Sequence, residues 1–328
     1  MKNVQQLISR YRDEIKGIAI LWVVFFHAQL GLDGFLYEIQ KIGYGGVDLF
    51  FFLSGYGLYH SLSKGTKGYL ARRARRILPA YLPFCLVWLA VMIPLSNLSF
   101  GQSVKTVLGN VFMVGYFFDA PLMINWYVSA LAVSLLLAPV LYACLKPGRL
   151  YWLRAAVLLA GMYLFGLLFV GNVKYMAVSR LPVFALGMIF AGPHNRRSEK
   201  WTPAALSVLG LIALGALLMC FRLRPEWLLR RGMYWHPFVL IAPALCIGLG
   251  WGLKYVPARC LVPLRKLGGA SFEIFLFNVW AELLGKKYGM GGSAANWILL
   301  TTASIALGLA YHHFLTSKRF VAFLKKRG

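Results

Sequence analysis

The sequence predicts an all-α fold, a polytopic membrane helical bundle of about ten transmembrane helices, as a single domain over residues 1–328. Three observations carry that prediction. Hydrophobic residues make up 59% of the chain and aromatic residues 15%, and mean hydropathy is +0.66, more apolar surface than one soluble core of this length hides. The apolar residues run in blocks of about 17–21, the length that crosses a hydrocarbon core, rather than in half-buried stripes. The Lys and Arg residues sit in short clusters between those blocks, as loops facing anionic lipid do. The net charge of +25 is therefore read as membrane topology and not as nucleic-acid binding.

The blocks fall at 15–31, 44–62, 78–96, 126–145, 155–171, 177–192, 203–221, 237–254, 270–285 and 295–315. The first lacks a small-residue cleavage site, so it is read as a retained helix and not a signal peptide. With the N-terminus inside, 25 Lys and Arg residues face the cytoplasm and nine lie in outer loops, while Arg180 falls within a span. That asymmetry predicts both termini in the cytoplasm and a multi-pass protein of the cell membrane. Residues 103–118 are apolar enough to cross, but a crossing there would put the basic clusters at 146–154 and 196–200 outside. They are therefore predicted as a short re-entrant or interfacial helix. The basic stretch 222–235 (RLRPEWLLRRGMYW) is predicted on the outer side, lying along the membrane plane or touching an anionic acceptor. The five cysteines form no CxxC pair, and His60, His194, His236, His312 and His313 form no ligand spacing, so neither a disulfide nor a metal is predicted.

Ionisable residues at membrane depth are costly, and each needs an account. His27 ends a run of hydrocarbon side chains, and an imidazole there must face the bundle or water, with an affinity for protons suited to transfer near neutrality. Lys16 lies eleven residues earlier, on the same face to within about 20° and about 16 Å away along the axis. One ridge would then carry a cation at the surface and an imidazole deep inside, which suits a long ligand with an anionic head; Lys16 as a simple membrane anchor is the competing reading. Asp48 opens the second block, where it either complements the helix dipole or orients His27. Gly55 and Gly57 permit close helix contact beside it. Arg72, Arg73, Arg75 and Arg76 make a phosphate clamp or an ordinary topology signal. Arg180 and Glu273 are substrate-binding or structural polar groups within spans, a mutual pairing being one option, and Asn278 follows Glu273 by five positions.

Taken together these motifs resemble the integral-membrane acyltransferase-3 family, which includes bacterial O-acetyltransferases of surface glycans. KGIAILWVVFFH resembles the family's Arg, ten residues, His signature. GVDLFFFLSGYGL resembles its second helix and RRARRILPAYL the basic start of its third. NWYVSALAVSLLLAP, SRLPVFALG and LGGASFEIFLFN resemble, more loosely, its later Trp…Pro, Arg…Phe…Gly and Gly…Ser…His blocks, and all six appear in the expected order. The resemblance implies transfer of an acyl group, commonly acetyl, from cytoplasmic acyl-CoA to a hydroxyl on a glycan or lipid-linked saccharide. It maps the family's functional His to His27 and its Arg to Lys16. The chain departs from the pattern in having Lys at 16, Leu131 where some members carry Glu, and Asn278 where many carry His.

The combined expectation places the CoA phosphates on Lys16, Arg72, Arg73, Arg75 and Arg76, and the thioester near His27. His27 then acts as general base or transient acyl carrier, with Asp48 setting its tautomer. Membrane lipids and the acceptor saccharide are the expected partners, and the oligomeric state is left open. Two other classes are weighed: a proton-coupled transporter or flippase, which the buried charges also suit but the lack of a visible repeat and the basic cluster at one inner loop disfavour, and a non-catalytic membrane protein, which leaves His27 and Asp48 without a task.

Overall fold

The computed structural model describes residues 4–192, 196–287, 289–290 and 293–317, with the backbone alone at 196–201 and 287. His194 and the five bases after residue 317 lie outside the described residues. Helices follow one another in the order α1 (Val4–Arg10), α2 (Arg12–His27), α3 (Gly34–Lys41), α4 (Gly46–Ser63), α5 (Tyr69–Met92) and α6 (Phe100–Val111). Then come α7 (Trp126–Cys144), α8 (Tyr151–Leu167), α9 (Tyr175–Val178), α10 (Arg180–Ala191) and α11 (Arg196–Leu223). The chain closes with α12 (Pro225–Arg230), α13 (Phe238–Gly252), α14 (Ala258–Gly269), α15 (Ser271–Lys287) and α16 (Ala294–Thr316). No strand occurs among the described residues.

Five helical segments are long and apolar enough to cross a membrane: Tyr69–Met92, Trp126–Cys144, Thr202–Leu223, Phe238–Tyr255 and Ala294–Thr316. A sixth is Ala258–Gly269 with Ser271–Lys286, if the pair, bent by 68°, counts as one span. The protein is thus a multi-pass membrane protein. The other four expected crossings fall on α2, α4, α8 and the Tyr175–Ala191 segment, which are shorter or less apolar. The sixteen residues of α2 span only about 24 Å. Its helix ends at His27 rather than residue 31 because Gly31 and Gly34, both at positive φ, turn the chain back.

Local chemistry explains other boundaries. The arginine run expected as a loop is helical from Tyr69, so the cluster forms the opening turns of α5. The stretch expected at 103–118 is helical only to Val111. Ser99 and Gln102 form a capping box at its start. Asn110 then donates to the Thr106 and Leu122 carbonyls and accepts from the Ile124 amide, tying down the turns that follow. In the 222–235 stretch, α12 forms a single short helix between turns.

The chain divides into two compact units that interleave in sequence. The first comprises Met1–Arg12, Asp48–Arg73 and Leu98–Tyr255. Its centre is α10, buried along nearly its whole length and packed on α7, α8, α9 and α13. Gly55 on α4 and Gly187 on α10 each lie against the other helix's backbone, at Phe184 and Phe52, leaving no room for a side chain. The close contact expected at Gly55 is therefore present, while Gly57 faces the Arg12 guanidinium. The second unit comprises Asp13–Val47, Ala74–Asn97 and Val256–Gly328. Within it, α2 crosses α14 with Gly17 against Leu264 and Gly268 against Asp13. Helix α16 packs along α15 with Gly308 against Ile274. Rings of Phe84, Trp88, Phe277, Trp280 and Tyr311 join α5 to α15 and α16.

Both units use the same device around proline. Pro83 has no N–H to offer the Pro79 carbonyl, and the Tyr311 hydroxyl donates to it at 3.3 Å. Pro139 likewise frees the Leu135 carbonyl, which accepts from the Tyr69 hydroxyl at 3.2 Å. A helical carbonyl unpaired in hydrocarbon is expensive, so these tyrosines make the prolines tolerable.

Candidate active site

His27 occupies the last turn of α2. The chain beyond it folds back: Trp22 Nε1 donates to the Ile39 carbonyl and Gln40 Nε2 to the Phe25 carbonyl. This return fixes the end of α2, and the Phe26 ring meets the imidazole edge-on at 5.0 Å. Nδ1 of His27 lies 3.1 Å from Oε2 of Glu282 on α15. The distance is that of a hydrogen bond, although the angle falls outside hydrogen-bond alignment. Catalytic hydrogen bonds in enzymes without substrate are often misaligned in this way. The other Glu282 oxygen accepts from Lys286 Nζ at 2.8 Å. With the carboxylate at Nδ1, the free nitrogen of the ring is Nε2. Asn278 is buried one turn before Glu282 on the same face of α15.

The carboxylate facing His27 is thus Glu282, which no local pattern singles out. Asp48, expected to serve His27, is paired with Arg180 at 3.2 Å inside the first unit, and both side chains are almost wholly buried. Arg180 also donates to the Met176 carbonyl and the Ser179 hydroxyl and lies 5.0 Å over the Trp126 ring. Glu273 meets His312 Nδ1 at 3.1 Å in the second unit. A third histidine, His236, hydrogen-bonds the Tyr175 hydroxyl through Nδ1 at 2.7 Å.

The cations expected to hold an anionic head divide in two. Arg72 donates to the Lys67 and Gly65 carbonyls and Arg73 to Ser61, closing the turn between α4 and α5. Arg75 and Arg76 are exposed and carry no hydrogen bond or ion pair among the described residues. Lys16 pairs with Asp13 at 2.8 Å. Beside it, Glu14 is fully buried and receives Arg265 from α14. No group of three or more His, Cys, Asp or Glu that could hold a metal occurs among the described residues.

A family model described as an acyltransferase domain, that of the acyltransferase-3 family, matches residues 11–313. The chain belongs to the acyltransferase-3 family. It is a membrane acyltransferase, and both the His27 and the Lys16 positions fall within the matched span. No curated protein and no solved structure matches this acyltransferase.

Proposed function

We propose that this acyltransferase moves an acyl group, acetyl by preference, from acyl-CoA on the cytoplasmic side to a hydroxyl of a glycan or lipid-linked saccharide. The reading treats the whole chain as one catalytic domain in the cell membrane with ten crossings and both termini in the cytoplasm. The observation that carries it is the His27–Glu282 pair at one end of α2, with a cation-rich surface at the other. The separation, about 16 Å from Lys16 to His27, suits a donor whose phosphates stay at the surface while a flexible arm carries the thioester inward.

In this mechanism Glu282 holds Nδ1 protonated and leaves the Nε2 lone pair for the acceptor. Nε2 takes the proton of the acceptor hydroxyl as its oxygen attacks the thioester carbon. The carbon–sulfur bond then breaks, and the imidazolium returns its proton to the departing thiolate. Glu282 and the negative end of α2 both favour the cation formed midway. Lys16, Arg75 and Arg76 bind donor phosphates, with Arg72 and Arg73 shaping the turn beside them. Asp48 and Arg180 serve as a buried brace rather than as reacting groups.

Transfer of labelled acetyl from acetyl-CoA in membranes tests the reading. His27→Ala at normal expression is expected to lose about 10²–10⁴-fold in rate, the range of general acid–base catalysis. Parental activity in that variant would remove His27 from the chemistry.

A further inference from the structure

Glu14 and Arg265 form an unusual pair. The acid is 1% exposed and its partner 61% exposed. An acid buried this deeply is costly unless a close cation offsets its desolvation. Here Nε and Nη2 of Arg265 both donate to Oε1 of Glu14, at 2.9 and 2.7 Å. A guanidinium has five N–H donors in a fixed plane. Two are committed to the acid, and the remaining edge faces outward in an orientation the acid sets.

The surroundings say what such an edge could meet. Leu264 and Gly268, on either side of Arg265, touch Gly17 and Asp13 of α2, so Arg265 lies at the same end of α2 as Lys16, docked on the face that Glu14 presents. Lys16 offers an ammonium, which lacks the planar fork that matches phosphate. Its own charge is partly committed to Asp13. On α5, Pro79 and Ala80 are bonded by Tyr311, whose neighbour His312 pairs with Glu273 just past α14. Arg75 and Arg76, one turn before Pro79, therefore belong to the same end of this unit.

We propose that Arg265 is a donor-binding residue: docked by Glu14, it supplies to a phosphate of acyl-CoA the bidentate fork that Lys16 lacks. The inference rests on acyl-CoA being the donor.

The test uses the detergent-purified full chain and free CoA, read as CoA affinity by titration and as KM for acetyl-CoA. Arg265→Gln leaves Glu14 buried without its cation and could unfold the protein, so E14Q/R265Q, which removes both charges, is measured beside it. Both variants are expected to weaken CoA binding about ten-fold, with KM rising by more than kcat falls; Arg265→Lys should recover part of the affinity. Parental CoA affinity in E14Q/R265Q would overturn the proposal. So would unchanged CoA affinity combined with lost stabilisation by anionic lipid vesicles, which would give the guanidinium to a headgroup phosphate. Failure of the parental chain itself to bind CoA would instead strike the donor assignment.

Discussion

His27 stood out in the sequence because an imidazole in a hydrocarbon run has no cheap explanation, and the structure sets it at the end of α2 with Nδ1 3.1 Å from Glu282. Glu282 was not legible. It sits at the edge of a late apolar block with Lys286 four residues on, the pattern of an ordinary surface pair, and only the course of α15 beside α2 shows that its second oxygen faces His27. Asp48 illustrates the opposite error: proximity in the sequence to the His27 block suggested a partnership, whereas Arg180, 132 residues away, holds it. Breaking a buried ion pair from one side strands a charge, at a cost of about 3–5 kcal/mol. Asp48→Asn is accordingly expected to lower the unfolding temperature sharply in detergent, and the charge-free D48N/R180M pair to restore most of the loss. An Asp48→Asn protein as stable as the parent would show that Arg180 needs no anion.

The apolar blocks marked most elements, because each must pair its backbone internally wherever lipid surrounds it. What they could not mark were bends and ends. The 68° turn between α14 and α15 splits a stretch the hydropathy joins only in part, and the arginines of α5 belong to a helix because no Gly or Pro interrupts residues 69–78. Glycine contacts were partly readable: Gly55 was singled out, but Gly17 and Gly268 were not, since nothing local distinguishes a glycine that meets a backbone from one that meets space. Two adjacent residues of α14 make the point testable. A methyl group at Gly268 would strike the Asp13 carbonyl, whereas one at Gly269 would meet only the His312 ring at an ordinary contact distance of 3.8 Å. Gly268→Ala is expected to cost about 1–3 kcal/mol by overpacking. Gly269→Ala is expected to be neutral or stabilising by up to about 1 kcal/mol, the helix-propensity gain. Equal unfolding temperatures for the two variants would contradict the α2–α14 contact.

For the whole molecule, the charge placement predicts the topology, and the free cysteines offer a direct check. Cys260 is exposed, in a segment the charge distribution assigns to the cytoplasm. A membrane-impermeant maleimide is expected to label Cys260 in inside-out vesicles and to spare it in intact cells; labelling from outside would invert the orientation and the side from which the donor enters. The interleaving of the two units was invisible to the sequence, because each gathers segments from both halves of the chain. One consequence is that His27, Glu282, Lys16 and Arg265 all belong to the second unit, although 255 positions part His27 from Glu282 and 249 part Lys16 from Arg265. The account stands on one coupling within that unit, between the imidazole and the acid beside it. The most direct measurement is a double-mutant cycle on acetyl transfer with His27→Ala, Glu282→Gln and their combination. If Glu282 acts through His27, each single change slows transfer and the combined change is no slower than His27→Ala alone. Parental transfer in Glu282→Gln, or losses that multiply in the combination, would contradict it.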